Sequence, residues 1–247
     1  MVKEGTPSYT PDLYYSTDGV NWTAYDFTTL PEVNVSPGAN IYFKGTNTRF
    51  STEYTWDNTY SFSLSKTCEG YGNLCSILNP NPATFSEITT VQSWTFAGCF
   101  KRFTTLTKAP DLTNITSIGE YGLYKCFYGC DSLTTVPDLS NLTTVNGNSF
   151  SNTFSYCTSL TTGPDVSNVT TVNGNNAFDY CFTYCNNISN VTTPNIQDLT
   201  QRGILTNWLM SSGGQATGTK VVNVPTGATI ATNSYNGIPF GWTRVDY

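Results

Sequence analysis

Phe127-Tyr-Gly-Cys130-Asp-Ser-Leu133-Thr-Thr-Val-Pro-Asp138 is one line of a phrase that this chain repeats. Its first word returns as Phe96-Ala-Gly-Cys99, Phe154-Ser-Tyr-Cys157 and Phe182-Thr-Tyr-Cys185, at intervals of 27 to 31 residues. Its second word returns as Leu106-Thr-Lys-Ala-Pro-Asp111 and Leu160-Thr-Thr-Gly-Pro-Asp165, with a degenerate fourth copy ending at Pro194-Asn195. Repeats of this length mark a solenoid. One unit has too few apolar positions to offset the ordering of its own backbone, which costs about 1–2 kcal/mol per residue. Stacked units share a core and escape that limit. Stacking turns the repeated letters into ladders, with Phe96, Phe127, Phe154 and Phe182 in one and Cys99, Cys130, Cys157 and Cys185 in another. Cysteine is small and apolar enough to be such a rung as a buried free thiol.

A third ladder lies between these words: Asn114-Ile-Thr-Ser-Ile118, Asn141-Leu-Thr-Thr-Val145 and Asn168-Val-Thr-Thr-Val172. Apolar residues alternating with Thr suit a half-buried strand, and the Gly or Asn-Gly that follows suits a tight turn. Each coil is therefore expected to hold one or two short strands and one helical or irregular turn around Phe-x-x-Cys. Pro at the end of the second word keeps that backbone out of the ladder.

The stretch Ile115-Thr-Ser-Ile-Gly-Glu-Tyr-Gly-Leu-Tyr-Lys-Cys-Phe-Tyr-Gly-Cys-Asp-Ser-Leu133 resembles the unit of BspA-like leucine-rich repeats. The longer form with Leu-Thr-x-x-Pro-Asp is similar to repeat proteins encoded by gut Bacteroidales and their phages. The resemblance covers residues 94 to 199. It departs in the first copy, where Phe100-Lys-Arg-Phe103 reads as an insertion, and in the fourth, which loses its Asp.

Residues 1–80 have another rhythm. Leu13-Tyr-Tyr-Ser-Thr-Asp18-Gly19-Val-Asn-Trp22-Thr-Ala-Tyr25 reads as two strands joined at Asp-Gly, a strong hairpin signal. With Val33-Asn-Val35, Ile41-Tyr-Phe-Lys44 and Tyr60-Ser-Phe-Ser-Leu64 it predicts a small β-sandwich. The segment also resembles the N-terminal β-module that precedes these gut repeats. Residues 200–247 read as a β cap that covers the last coil. A short helix over Ile204–Met210, the strand-like runs Lys220–Val224 and Ala228–Ile230, and a core Trp242 would build it. The expected fold is thus mainly β with short helices: an N-terminal β-sandwich over 1–80, a leucine-rich-repeat solenoid of about four coils over 81–199, and a small C-terminal β cap over 200–247.

Composition narrows the function. Charged residues are 11% of the 247, and the formal net charge is −6. That balance argues against nucleic acid, whose phosphates call for clustered Lys and Arg. Lys101-Arg102 reads as a solvated loop. No run approaches the roughly 18 apolar residues of a membrane span, and Met1-Val-Lys-Glu-Gly-Thr-Pro has no apolar signal core. His is absent, which removes the commonest general base, the His-paired nucleophiles and most catalytic metal sites. No cofactor is expected.

Eight cysteines leave three readings open. Buried free thiols fit the repeat positions best. The pairs Cys126/Cys130 and Cys181/Cys185 leave disulfides or zinc as rivals, and Cys68 and Cys75 are placed for a local disulfide.

Two sets of residues are candidates for a binding surface. Asp111, Asp138 and Asp165 form a carboxylate ladder, read first as turn residues, with a cation site or a catalytic pair as rivals. Tyr128, Tyr156, Tyr180 and Tyr184 either pack beside the core Phe or present their rings to sugars or a protein partner. The resemblance and the missing signal core imply a non-enzymatic phage virion component that contacts other virion proteins or a host-surface protein or glycan. The alternatives are a Bacteroidales cell-surface adhesin and a glycan-acting enzyme. Self-association into a homo-oligomer is a further expectation, and membrane insertion is not.

Overall fold

The computed structural model describes residues 13–24, 42–45, 89–91, 93–94, 96–104 and 106–247. In the N-terminal part, β1 (Leu13–Ser16) pairs antiparallel with β2 (Thr23–Ala24) and with β3 (Tyr42–Gly45), in the order β2-β1-β3. The turn between β1 and β2 is the one that Asp18-Gly19 announces. Asp18 Oδ1 accepts from the backbone N–H of Val20 at 2.8 Å and of Asn21 at 2.7 Å, and Gly19 takes φ +76°. These donors hold the Asp18 carboxyl well below the usual carboxylate range. The other strands of the expected sandwich, and Cys68 and Cys75, lie outside the described residues.

The repeats stack as parallel coils. One face is a four-stranded parallel sheet of β4 (Thr90–Val91), β5 (Ser117–Ile118), β6 (Thr144–Asn146) and β7 (Thr171–Asn173). Its register sets Val91, Ile118, Val145 and Val172 in one column. The flanking Thr and Asn side chains bond between coils. Thr143 Oγ1 donates to Thr116 O at 3.1 Å, and Asn146 Nδ2 donates to Ile118 O at 2.8 Å.

The second face follows the Leu-Thr-x-x-Pro word. Bridges join Lys108 to Thr135 and Thr162 to Asn190. From there β8 (Asn190–Thr192), β9 (Lys220–Val224) and β10 (Trp242–Asp246) form a sheet in the order β10-β9-β8, all parallel. Stacking thus runs on across position 200, with the C-terminal strands continuing the second face. Trp242 is buried in it.

Between the two faces runs a ribbon of overlapping turns, where a helical or irregular turn is expected. Its N–H groups alternate between two kinds of acceptor. Cys126 N donates to Leu123 O at 3.0 Å, Phe127 N to Thr153 O in the next coil at 2.9 Å, Tyr128 N back to Lys125 O at 3.2 Å, and Gly129 N onward to Ser155 O at 2.8 Å. Every second residue is therefore bonded across coils and the others within a turn, so this buried backbone is satisfied without helix or strand. The pattern needs left-handed backbone at every fourth position. Tyr121, Lys125 and Gly129 supply it in one coil, Asn148, Asn152 and Tyr156 in the next, and Asn176, Tyr180 and Tyr184 in the one after, with φ between +51° and +70°. The helix expected over Ile204–Met210 is the same ribbon in a further coil: Ile204, Thr206, Trp208 and Met210 offer their carbonyls to Phe178, Tyr180, Phe182 and Tyr184. Among the described residues the one helical element is a three-residue 3-10 turn, Gln201–Gly203, and no helix is long and apolar enough to cross a membrane.

The core corrects the phase of the first repeat. The aromatic column is Phe100, Phe127, Phe154 and Phe182, with ring centroids 5.2, 5.4 and 5.6 Å apart and planes within 8° of parallel. Phe96, expected to head it, stands one turn earlier, since Phe96 N donates to Gly122 O whereas Phe100 N donates to Cys126 O. Phe100-Lys-Arg-Phe103 is therefore the first copy of the word and no insertion, with Phe103 where later coils have cysteine. The spacing of the word becomes 27 residues, then 27, then 28. Cys99 is buried but belongs to the column of Cys126, beside that of Cys130, Cys157 and Cys185.

Candidate functional site

The six described cysteines are buried thiols, none of them in a disulfide. Cys130 Sγ donates to Phe100 O at 3.0 Å, Cys157 Sγ to Phe127 O at 3.1 Å and Cys185 Sγ to Phe154 O at 2.9 Å. Each thiol thus ties its coil to the one before. Burial pushes Cys130 and Cys185 up to about 12, far from the thiolate range that redox or metal chemistry requires. Among the described residues no three His, Cys, Asp or Glu side chains are grouped to hold a metal ion.

The carboxylate ladder is spent on turns. Asp111 Oδ1 accepts from Thr113 N, Asp138 Oδ1 from Ser140 N and Asp165 Oδ1 from Ser167 N, each at 2.9 Å. The Thr113 hydroxyl also donates to Asp111 and holds its carboxyl below the ordinary value. The fourth rung, missed in the sequence, is Asp198, which accepts from Thr200 N at 3.0 Å and from Thr200 Oγ1 at 2.6 Å. The signal was there: Asp-Leu-Thr at 198–200 repeats Asp111-Leu-Thr113, displaced by a longer connection. The Asn of the Asn-x-Thr triplets is likewise structural, since Asn141 Nδ2 donates to Thr113 O at 2.9 Å and Asn168 Nδ2 to Ser140 O at 2.6 Å.

Three of the four candidate tyrosines come together on the outside of the ribbon. Tyr128 and Tyr156 have ring centroids 5.2 Å apart and tilted by 53°, and Tyr156 and Tyr184 lie 4.8 Å apart and nearly parallel at 26°. Tyr156 is 40% exposed and Tyr184 39%, while the Phe column behind them is sealed. The left-handed φ of Tyr156 (+63°) and Tyr184 (+60°) turns these side chains out at equivalent places in successive coils. Burial, followed by the neighbouring rings, raises the Tyr156 hydroxyl above its ordinary value. Tyr180 is not part of the row. It lies in the column of Lys125 and Asn152, four residues earlier along the ribbon.

One end of the row is cationic. Lys101 Nζ lies 5.9 Å from the centre of the Tyr128 ring, and Lys125 Nζ lies 4.7 Å from that of Tyr124. Tyr124 sits edge-on to Trp94 at 6.1 Å, and Trp94 stacks on Tyr121 at 4.1 Å. Partial burial, then repulsion from Lys125 and Arg102, brings Lys101 down to about 8. Lys101-Arg102, expected as a solvated loop, has Lys125 beside it only through the coil register. A shallow polar groove of about 730 Å³ lies elsewhere, at the ends of β4–β7, lined by Ser117, Glu120 and the turns Asn146-Gly147 and Asn173-Gly174.

Residues 73–181 match the family model described as BspA type leucine rich repeat region, in six copies. No curated protein and no solved structure matches the chain. The matched segment holds the first three Phe-x-x-Cys words, the thiol-to-carbonyl ties of Cys130 and Cys157, and the first-face sheet. Residues 73–181 of this protein are therefore similar to a BspA-type leucine-rich-repeat region.

Proposed function

We propose that this chain is a non-enzymatic binding module that attaches its bearer, a phage particle or a bacterial cell, to a protein or glycan on another surface. The observation that carries this reading is the row Tyr128, Tyr156 and Tyr184. A column in which Tyr128 is half-buried and Tyr156 and Tyr184 are left about 40% open, directly outside a fully packed Phe column, adds little to the core. Such amphipathic rings are the side chains favoured at recognition sites, where they bury area at low entropic cost. The carboxylates that a hydrolase would need are bound to their own turns. The bearer is read from the resemblance to phage and Bacteroidales repeat proteins, and immunogold labelling of particles and cells tests it.

The test of binding is the purified chain on arrays of host-surface glycans and on intact cells, beside the double variant Tyr156→Ala/Tyr184→Ala. We expect at least a tenfold loss for the variant with its circular dichroism unchanged. Equal binding by both proteins would remove the tyrosine row from the function.

A further inference from the structure

Resting on that binding role, we infer that the ligand of the tyrosine row is an acidic polysaccharide, its sugar rings lying along Tyr128, Tyr156 and Tyr184 and a carboxylate or sulfate held at the Lys101, Arg102 and Lys125 end. Three arguments converge on this class.

The first is charge. In a chain of net charge −6, with 11 basic residues, three cations from adjacent coils meet at one end of the exposed rings. Partial burial first, and then repulsion from Lys125 and Arg102, lower the affinity of Lys101 for its proton, and an anionic ligand would relieve that repulsion. The second is shape. The rings rise one per coil, and neighbouring coils are about 4.8 Å apart, as strands in a sheet are. A polymer that offers one flat ring per short repeat can follow such a row; a polypeptide strand has no such ring in each unit. The third is charge density. A single-stranded nucleic acid would also stack on aromatics, but its phosphates, one per base, call for cations along the whole row. Here the cations stop at the first coils, while the later ones carry Ser155, Thr183 and Asn152 on the ribbon. A sparsely charged polyanion fits; a densely charged one does not.

The test uses the whole chain and a panel of hyaluronan, unsulfated chondroitin and heparosan oligosaccharides, each with one carboxylate per disaccharide. Each is paired with its carboxyl-reduced form, and a single-stranded oligonucleotide and an acidic peptide complete the set. Two variants accompany the native protein: Tyr156→Ala/Tyr184→Ala, and Lys101→Gln/Lys125→Asn, in which Asn suits the left-handed position as Asn152 does in the next coil. We expect at least one acidic oligosaccharide to bind, with tenfold or greater loss on carboxyl reduction, on changing the lysines and on changing the tyrosines. Binding that ignores both the carboxylates and the lysines but needs the tyrosines would overturn this inference while leaving the binding role standing. So would exclusive binding of the oligonucleotide or the peptide, or no binding by any member of the panel. Binding that ignores the tyrosines would overturn both.

Discussion

Ser212 donates its hydroxyl to the carbonyl of Phe182, at the place in its coil where earlier coils put a cysteine thiol on a phenylalanine carbonyl. The bond is thus a feature of the coil geometry, and sulfur is one of two atoms that can make it. Cys157→Ser should keep the tie and cost less than Cys157→Ala, which loses the donor and leaves a small void worth about 1–2 kcal/mol. Urea melts of the two variants check the order. In the native protein Cys99, Cys126, Cys130, Cys157, Cys181 and Cys185 should not react with a thiol reagent at pH 8, and all six should react once the chain is unfolded.

Phe154 is stacked on both sides, by Phe127 and by Phe182. Phe154→Ala should lower stability by about 3–5 kcal/mol. Gly163→Ala attacks the same column from the side, since its added Cβ would lie 2.8 Å from Cζ of Phe182, and overpacking of this kind costs about 1–3 kcal/mol. Denaturant midpoints measure both, and a loss below 1 kcal/mol for Phe154→Ala would show that the stack is not what holds the coils together.

Asp179 has a buried Oδ1 without a hydrogen-bond partner, and burial pushes its carboxyl up to about 6 from an ordinary 3.8. A raised carboxyl weakens folding where both states are ionised, fully above pH 6, and has no effect below about 3.8 where both are protonated. Asp179→Asn should therefore raise the melting temperature at pH 7.5 and leave it unchanged at pH 3.5. An equal gain at both values would mean that the amide acts through new contacts.

Asn168 reaches Ser140 O across the coil boundary. Asn168→Ala should cost about 1 kcal/mol, the net worth of one such bond, as should Asp138→Ala through its turn. Thermal melts of the single variants and of the double variant should show a double loss smaller than the sum, because both side chains bond to Ser140, one at its N–H and the other at its carbonyl.

Partial burial, then the charges of Lys125 and Arg102, bring the Lys101 ammonium down to about 8, with the Tyr128 ring beside it. Affinity for an acidic oligosaccharide should fall as pH rises from 7 to 9, and the fall should vanish in Lys101→Gln. Titration calorimetry at the two pH values measures it.

The stacked architecture and the Leu columns were legible because apolar letters recur at fixed distance. Leu106, Leu133 and Leu160 keep a spacing of 27 throughout. The first word was misphased because Phe96-Ala-Gly-Cys99 looks more like its successors than Phe100-Lys-Arg-Phe103 does, although only the latter stands three residues before its Leu. The ribbon could not be read, since its left-handed positions carry Tyr, Lys and Asn far more often than Gly, and in isolation each such residue disfavours that backbone by about 1–2 kcal/mol. Bonds from the neighbouring coil impose it. For the same reason the cationic cluster was invisible: Lys125 meets Lys101 only once the register is known.

The alternating bonds of the ribbon make each coil a donor to the next through one set of backbone groups, whatever side chains it carries. The length of this array is therefore free to vary by whole 27-residue units without altering either face or the core. Duplication or loss of a unit would lengthen or shorten the row of rings by one step, and with it the stretch of ligand that a single molecule can grip.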